Sequence, residues 1–158
     1  NYGLNLPAKF KEAMGYAAKG VSDRTHKELK PAEVYRVFLD EFVENRRAFD
    51  IPECHFKQIP EGITATVTIE RNGVRETSLA DGNGRLDAVT NALKKYFGIE
   101  FTLTTYEQRA LSEKSDSKAL SFVGLEKDGK FYWGAGVDED IIQSSINALV
   151  AALNNYLA

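Results

Sequence analysis

Residues 63–79, ITATVTIERNGVRETSL, decide how the rest of this chain is read. Thr64, Thr66 and Thr68 alternate with Ala65, Val67 and Ile69, the period of a strand with one face covered and one open. Asn72-Gly73 follows as a tight hairpin turn, and Val74 to Leu79 returns as a second strand. Upstream, Pro52 and Pro60 bracket a shorter extended stretch, Cys54 to Ile59. Downstream, Asp81-Gly82-Asn83-Gly84 reads as a loop, and Leu86, Val89, Ala92, Leu93 and Tyr96 recur at helical spacing.

The same order then recurs. Ile99 to Leu111 is extended, Ala119 to Glu126 alternates, Asp128-Gly129 turns, and Lys130 to Val137 returns. Asp138 is the expected cap of a last helix carrying Ile141, Ile142, Ser145, Leu149 and Leu153. Val67, Glu70, Gly73 and Asn91-Ala92-Leu93 reappear as Val123, Glu126, Gly129 and Asn147-Ala148-Leu149, all shifted by the 56 residues that separate Gly73 from Gly129. The expected fold class is therefore α+β: two βββα units in tandem, about 52–97 and 99–157, forming one domain over 52–158. Three strands and a helix bury little alone, so each half is expected to cover the other about a pseudo-two-fold axis. Gly134-Ala135-Gly136 suggests close backbone packing between the halves.

Residues 1–51 have a different texture. Pro7 suits a first helical turn, and Phe10, Ala13, Met14, Ala17 and Ala18 recur at helical spacing until Gly20-Val21-Ser22-Asp23 breaks the pattern. Pro31 opens a second helix with Val34, Phe38 and Phe42 on one stripe and Glu33, Arg36, Asp40 and Glu44 elsewhere. This segment reads as a helical linker subdomain. Asn1 in place of a methionine suggests a piece cut from a longer protein.

Of the 158 residues, 43% are hydrophobic and 27% charged, with a net charge of −3. That balance fits a soluble globular chain and gives no basic field for nucleic acid. No apolar run reaches the roughly 18 residues of a membrane helix, and no signal peptide is visible. The lone Cys54 fits a reducing cytoplasm. No catalytic or metal-binding constellation emerges. Cys54 and His55 are strand neighbours on opposite faces, His26 has no second histidine near it, and Asp138-Glu139-Asp140 sits where carboxylates complement a helix start. Gly82-Asn83-Gly84 lacks the third glycine of a dinucleotide fingerprint. It can be read either as a tight strand-to-helix turn or as a loop presenting helix-start amides to a carboxylate.

Three stretches resemble one family. Asp81-Gly82-Asn83-Gly84-Arg85-Leu86-Asp87-Ala88 is similar to the opening of the regulatory domain in 2-isopropylmalate synthases. Trp133-Gly134-Ala135-Gly136-Val137, Asp140-Ile141-Ile142-Gln143-Ser144-Ser145 and Asn154-Asn155 resemble its close, and Tyr2-Gly3-Leu4-Asn5-Leu6-Pro7 the linker after the family's catalytic barrel. The resemblance implies a cytoplasmic homodimer that binds L-leucine as a feedback inhibitor. The same enzyme's barrel, with its divalent metal, would condense acetyl-CoA with 2-oxoisovalerate. This piece would itself be non-catalytic, with no cofactor of its own.

Carried over position by position, the resemblance implies an effector site of Gly82, Asn83, Gly84, Leu86, Asp87, Leu103, Tyr106, Ala110, Ser117, Ala119 and Ile141. Leu103, Ala119 and Ile141 would enclose an isobutyl group while helix-start amides hold the carboxylate. Arg85 stands where the family usually has proline, and Ser115-Asp116-Ser117-Lys118 is more polar than usual. An isoleucine-responsive citramalate synthase domain and a purely structural dimerisation module therefore stay open as alternatives.

Overall fold

Both hairpin turns close as their dipeptides dictate. Asn72 and Gly73 take φ of 52° and 78°, and Asp128 and Gly129 take 53° and 79°. Positive φ at both central residues is the type I′ geometry that matches strand twist. The computed structural model describes residues 5–111 and 117–158. Within them lie α1 (Ala8–Thr25), α2 (Pro31–Phe38) and a π-helical turn (Leu39–Val43). The first unit follows as β1 (Asp50–Ile59), β2 (Gly62–Arg71), β3 (Val74–Gly82) and α3 (Arg85–Phe97). The second is β4 (Thr102–Ala110), β5 (Ala119–Lys127), β6 (Lys130–Asp138) and α4 (Ile141–Leu157). The strands form two three-stranded antiparallel sheets, β1-β2-β3 and β4-β5-β6. The α+β tandem of βββα units is thus the fold observed.

The repeat extends to detail. Val67 pairs with Cys54 and Val123 with Tyr106, so the first strands are related by 52 residues, against 56 for everything after them. The four residues of slack lie in the connection, between Ile59 and Gly62 in the first unit and between Leu111 and Lys118 in the second. Each first strand carries a bulge at the same place, between Asp50 and Glu53 and between Leu103 and Thr105. Pro52 lies inside the first bulge, so β1 begins two residues before it. An edge-strand bulge tolerates the missing N–H.

One core joins the halves. Ala65, Val67, Ile69, Ala88, Val89 and Leu93 of the first unit pack in a single cluster with Val123, Leu125, Ile146, Leu149 and Leu153 of the second. The outer faces of the two sheets differ. On the first, Thr64, Thr66 and Thr68 stay partly open to water. On the second, Leu120, Phe122, Trp133 and Ala135 form a separate core with Phe10, Met14, Phe38 and Phe42. Phe10 stacks on Trp133 at 5.3 Å and meets Phe122 edge-on at 5.6 Å. β5 is accordingly buried on both faces from Ala119 to Leu125, and its near-unbroken apolar sequence follows from that.

Three local expectations are corrected. Helix α1 runs through Gly20-Val21-Ser22-Asp23 and ends at Thr25, with His26 in the left-handed region. The cap of α4 is Asp140, whose Oδ1 accepts from Ile142 N at 3.0 Å; Asp138 instead accepts from Asp140 N at 2.9 Å. The close packing at Gly134 and Gly136 is within one unit. A Cβ on Gly136 would stand 2.1 Å from Ser144 O, and one on Gly134 2.2 Å from Ala148 O, both in α4.

Candidate functional site

Strand β3 extends to Gly82, and the chain enters α3 through Asn83 and Gly84 alone. Gly82 is required by packing, since a Cβ there would lie 2.3 Å from Ala88 N. Asn83 N donates to Asp87 Oδ2 at 2.9 Å, and the Asn91 amide donates to Asp81 O at 2.9 Å. These bonds brace the loop from both sides. The N-cap of α3 is Gly84, which offers no side chain to the first-turn amides. The start of α4 is closed by Asp140. Of the two equivalent helix starts, α3's is thus the one available to an external anion.

Three adjoining depressions run along this side of the molecule. The central one, of about 460 Å³, is lined by Gly84, Arg85, Leu86 and Asp87 from the first unit and by Tyr106, Asp140, Ile141 and Ile142 from the second. A second, of about 350 Å³, shares Leu86, Asp87 and Tyr106 and adds Thr90, Lys94, Phe101 and Leu103. The third, of about 310 Å³, shares Ile141 and adds Gln108, Ala110, Ser117, Ala119 and Glu139. Gly84, Leu86, Asp87, Tyr106 and Ile141 are thereby brought together. Leu103 and Ala119 are not: Leu103 pairs with Leu125 and Ala119 with Ala110, at opposite ends of the β4–β5 ladder, about 20 Å apart at strand rise. Gly82 and Asn83 line none of these three depressions. Ser115 and Asp116, and Tyr2 to Leu4 of the linker motif, lie outside the described residues.

Behind the central depression is a group of hydroxyls. Tyr106 OH meets Ser145 Oγ at 2.8 Å, and Gln108 Nε2 donates to the same phenol. Ser121 Oγ lies 2.7 Å from Ser144 Oγ and 3.3 Å from Ser145 Oγ. Ser144 and Ser145 each donate to Ile141 O, at 2.8 and 2.9 Å. Ser121, Ser144 and Ser145 are fully buried.

Known proteins share this arrangement of sequence. Residues 28–157 match the LeuA allosteric (dimerisation) domain. The chain belongs to this family. Over 99% of its length it is 39% identical to a 2-isopropylmalate synthase of Desulfitobacterium hafniense, of which it covers 28%. It is 34% identical to one of Helicobacter hepaticus, with 99% of this chain and 30% of the relative covered. For one of Clostridium acetobutylicum the identity is 37%, with 98% and 29% covered. The chain therefore spans less than a third of the length of these relatives.

In this LeuA domain Cys54 and His55 face apart. His55 Nε2 is 2.7 Å from Glu53 Oε1 on the exposed face of β1, whereas Cys54 turns to the half-buried side. Burial pushes the Cys54 thiol up to about 11, so it is a poor nucleophile near neutrality. Among the described residues no group of three or more His, Cys, Asp and Glu side chains is placed to hold a metal. No helix among them is long and apolar enough to cross a membrane.

Arg85, Asp140 and Ile142 also line the central depression and lie outside the expected set. The Arg85 guanidinium stands 5.7 Å from the Phe56 ring. The buried serines behind the depression are a further group outside that set. Their signal was available in the repeat, because Ser121, Ser144 and Ser145 stand where the first unit has Ala65, Ala88 and Val89.

Proposed function

We propose that this chain is the effector-binding, homodimerising regulatory domain of a 2-isopropylmalate synthase, and that its effector is L-leucine. The observation that supports this most is the meeting of the two helix starts, Gly84–Asp87 and Asp140–Ile142, across Tyr106 in one depression. Uncapped α3 amides and the Arg85 cation suit an α-carboxylate. The carboxylates of Asp87 and Asp140 suit an ammonium, and Leu86, Ile141 and Ile142 suit a branched apolar side chain. An α-amino acid offers those three groups in that order.

In this reading the condensation of acetyl-CoA with 2-oxoisovalerate, with its divalent metal, belongs to a barrel outside the chain, and the chain alone turns over nothing. Feedback inhibition needs both parts, because coupling is a property of two sites sharing one equilibrium. The protein works in the cytoplasm, where a single free thiol such as Cys54 is stable. Residues 1–51 act as the linker subdomain and 52–158 as the regulatory body.

A thermal-shift titration with leucine, isoleucine, valine and 2-oxoisovalerate tests this, with light scattering to give the oligomeric state. A ligand at 100 times its Kd stabilises the fold by about 2.7 kcal/mol, or roughly 5–10 °C in Tm for a chain of this size. The expected result is a dimer that responds to leucine most strongly. Preference for isoleucine would reassign the chain to the citramalate synthase type. A folded dimer silent to all four would reduce it to a dimerisation module.

A further inference from the structure

The second unit buries hydroxyls where the first buries hydrocarbon. Ser121, Ser144 and Ser145 replace Ala65, Ala88 and Val89 at the 56-residue spacing. Tyr106 and Gln108, in register with Val123 and Ser121, occupy the places of Cys54 and Phe56, in register with Val67 and Ala65. Five positions therefore switch from apolar or thiol to hydroxyl and amide together. Burying a hydroxyl costs free energy that its hydrogen bonds roughly offset, so stability gives no reason for the exchange. The first unit shows that the same fold packs with Ala, Ala and Val at the three buried positions.

The hydrogen bonds have a direction. Ser144 and Ser145 spend their protons on Ile141 O, so Ser145 accepts from Tyr106 and Ser144 accepts from Ser121. Tyr106 in turn accepts from Gln108. Two strands are thus tied to one carbonyl on the first turn of α4. The chain's two surface ends are the Tyr106 ring and the Ile141 side chain, both partly exposed and both lining the central depression.

We propose that Ser121, Ser144 and Ser145 are positioning residues, which lock the Tyr106 ring and the first turn of α4 into one preformed wall of the cleft and thereby set its affinity for the effector. The effector half of this statement rests on the leucine reading above; the orientation of Tyr106 does not. Wall groups held in place before binding spare the ligand the cost of ordering them.

The test replaces the three serines by the first unit's residues, Ser121→Ala, Ser144→Ala and Ser145→Val together, in the full chain. Two readouts are followed: the leucine Kd, and the ring resonance of Tyr106 in tyrosine-labelled protein, assigned with Tyr106→Phe. The expected result is an unliganded Tm equal to or above the original, a displaced Tyr106 resonance, and leucine binding weakened at least tenfold. Ser145→Thr, which keeps the hydroxyl, should restore both readouts to near their original values. If the triple variant does not fold, Ser145→Ala, which removes the hydroxyl that accepts from Tyr106, supplies the same two readouts. An unmoved Tyr106 resonance overturns the proposal, as does unchanged leucine affinity beside a displaced resonance. If the original protein binds no leucine, the effector reading falls, and the resonance alone decides whether the serines position Tyr106.

Discussion

Gly136 and Gly15 carry the same side chain under opposite constraints. At Gly136 a methyl would stand 2.1 Å from Ser144 O and 2.7 Å from Ala148 N, both backbone atoms of α4. The helix would have to lift off β6, pulling Ser144 away from Ser121. Gly136→Ala is therefore expected to destabilise the protein by about 3 kcal/mol, at the upper end of ordinary overpacking. Gly15 lies inside α1, and a Cβ there would have nothing within 4 Å of it, so Gly15→Ala should stabilise by about 0.5–1 kcal/mol. Urea titrations of both variants give the comparison, and a Gly136→Ala midpoint equal to the original would refute the close helix–strand contact. Where the second unit has Gly134 and Gly136, the first carries Ser78 and Ala80, and Ser78 Oγ donates to Ala92 O at 2.8 Å.

Among the elements, the two helix starts differ most. Asp140 caps α4 through Ile142 N, while α3 begins at Gly84 without a side-chain cap. Asp140→Ala should cost about 1 kcal/mol, read as a lowered urea midpoint; no loss would mean that water replaces the cap. The strands, both hairpins and the repeat were legible because period-two alternation and Asn-Gly or Asp-Gly turns are local signals. The cap falls two residues beyond Asp138 because either Asp138 or Asp140 can cap, and only the end of β6 decides between them. The break expected at Gly20 did not occur, since a helix tolerates a glycine at about 1 kcal/mol when neighbouring turns are packed. The grouping of Leu86, Asp87, Tyr106 and Ile141 was legible through family resemblance, whereas the separation of Leu103 from Ala119 depends on pairing register. The role of α1 and α2 as a cover for the second sheet could have been read from Ala119 to Leu125, which has no polar face to give to water.

Across the whole molecule, the helical segment is stitched as well as stacked. Asn154, fully buried, accepts from Ala48 N and Phe49 N at 2.7 and 3.1 Å and donates to Phe49 O at 3.0 Å. Asn155 donates to Glu41 O and Trp133 O and accepts from Asn45. Of these partners a fragment of residues 52–158 keeps only Trp133 O, loses those on Glu41, Asn45, Ala48 and Phe49, and opens Leu120, Phe122 and Trp133 to water. It should therefore bind a hydrophobic dye and self-associate beyond a dimer in light scattering. A monodisperse, dye-silent fragment would show that the repeat pair needs no cover.

The stacking of Phe10 on Trp133 also sets an order in time. The ribosome releases Phe10, Phe38 and Phe42 before the sheet they roof, with 112 residues from Phe10 to Phe122. At ordinary elongation rates that is a wait on the order of 10 s, long enough for the first βββα unit to form while three phenylalanines have nowhere to go. The aromatic helices can close over the second sheet only after β6 has emerged, so their apolar faces wait through the synthesis of six strands before they are buried.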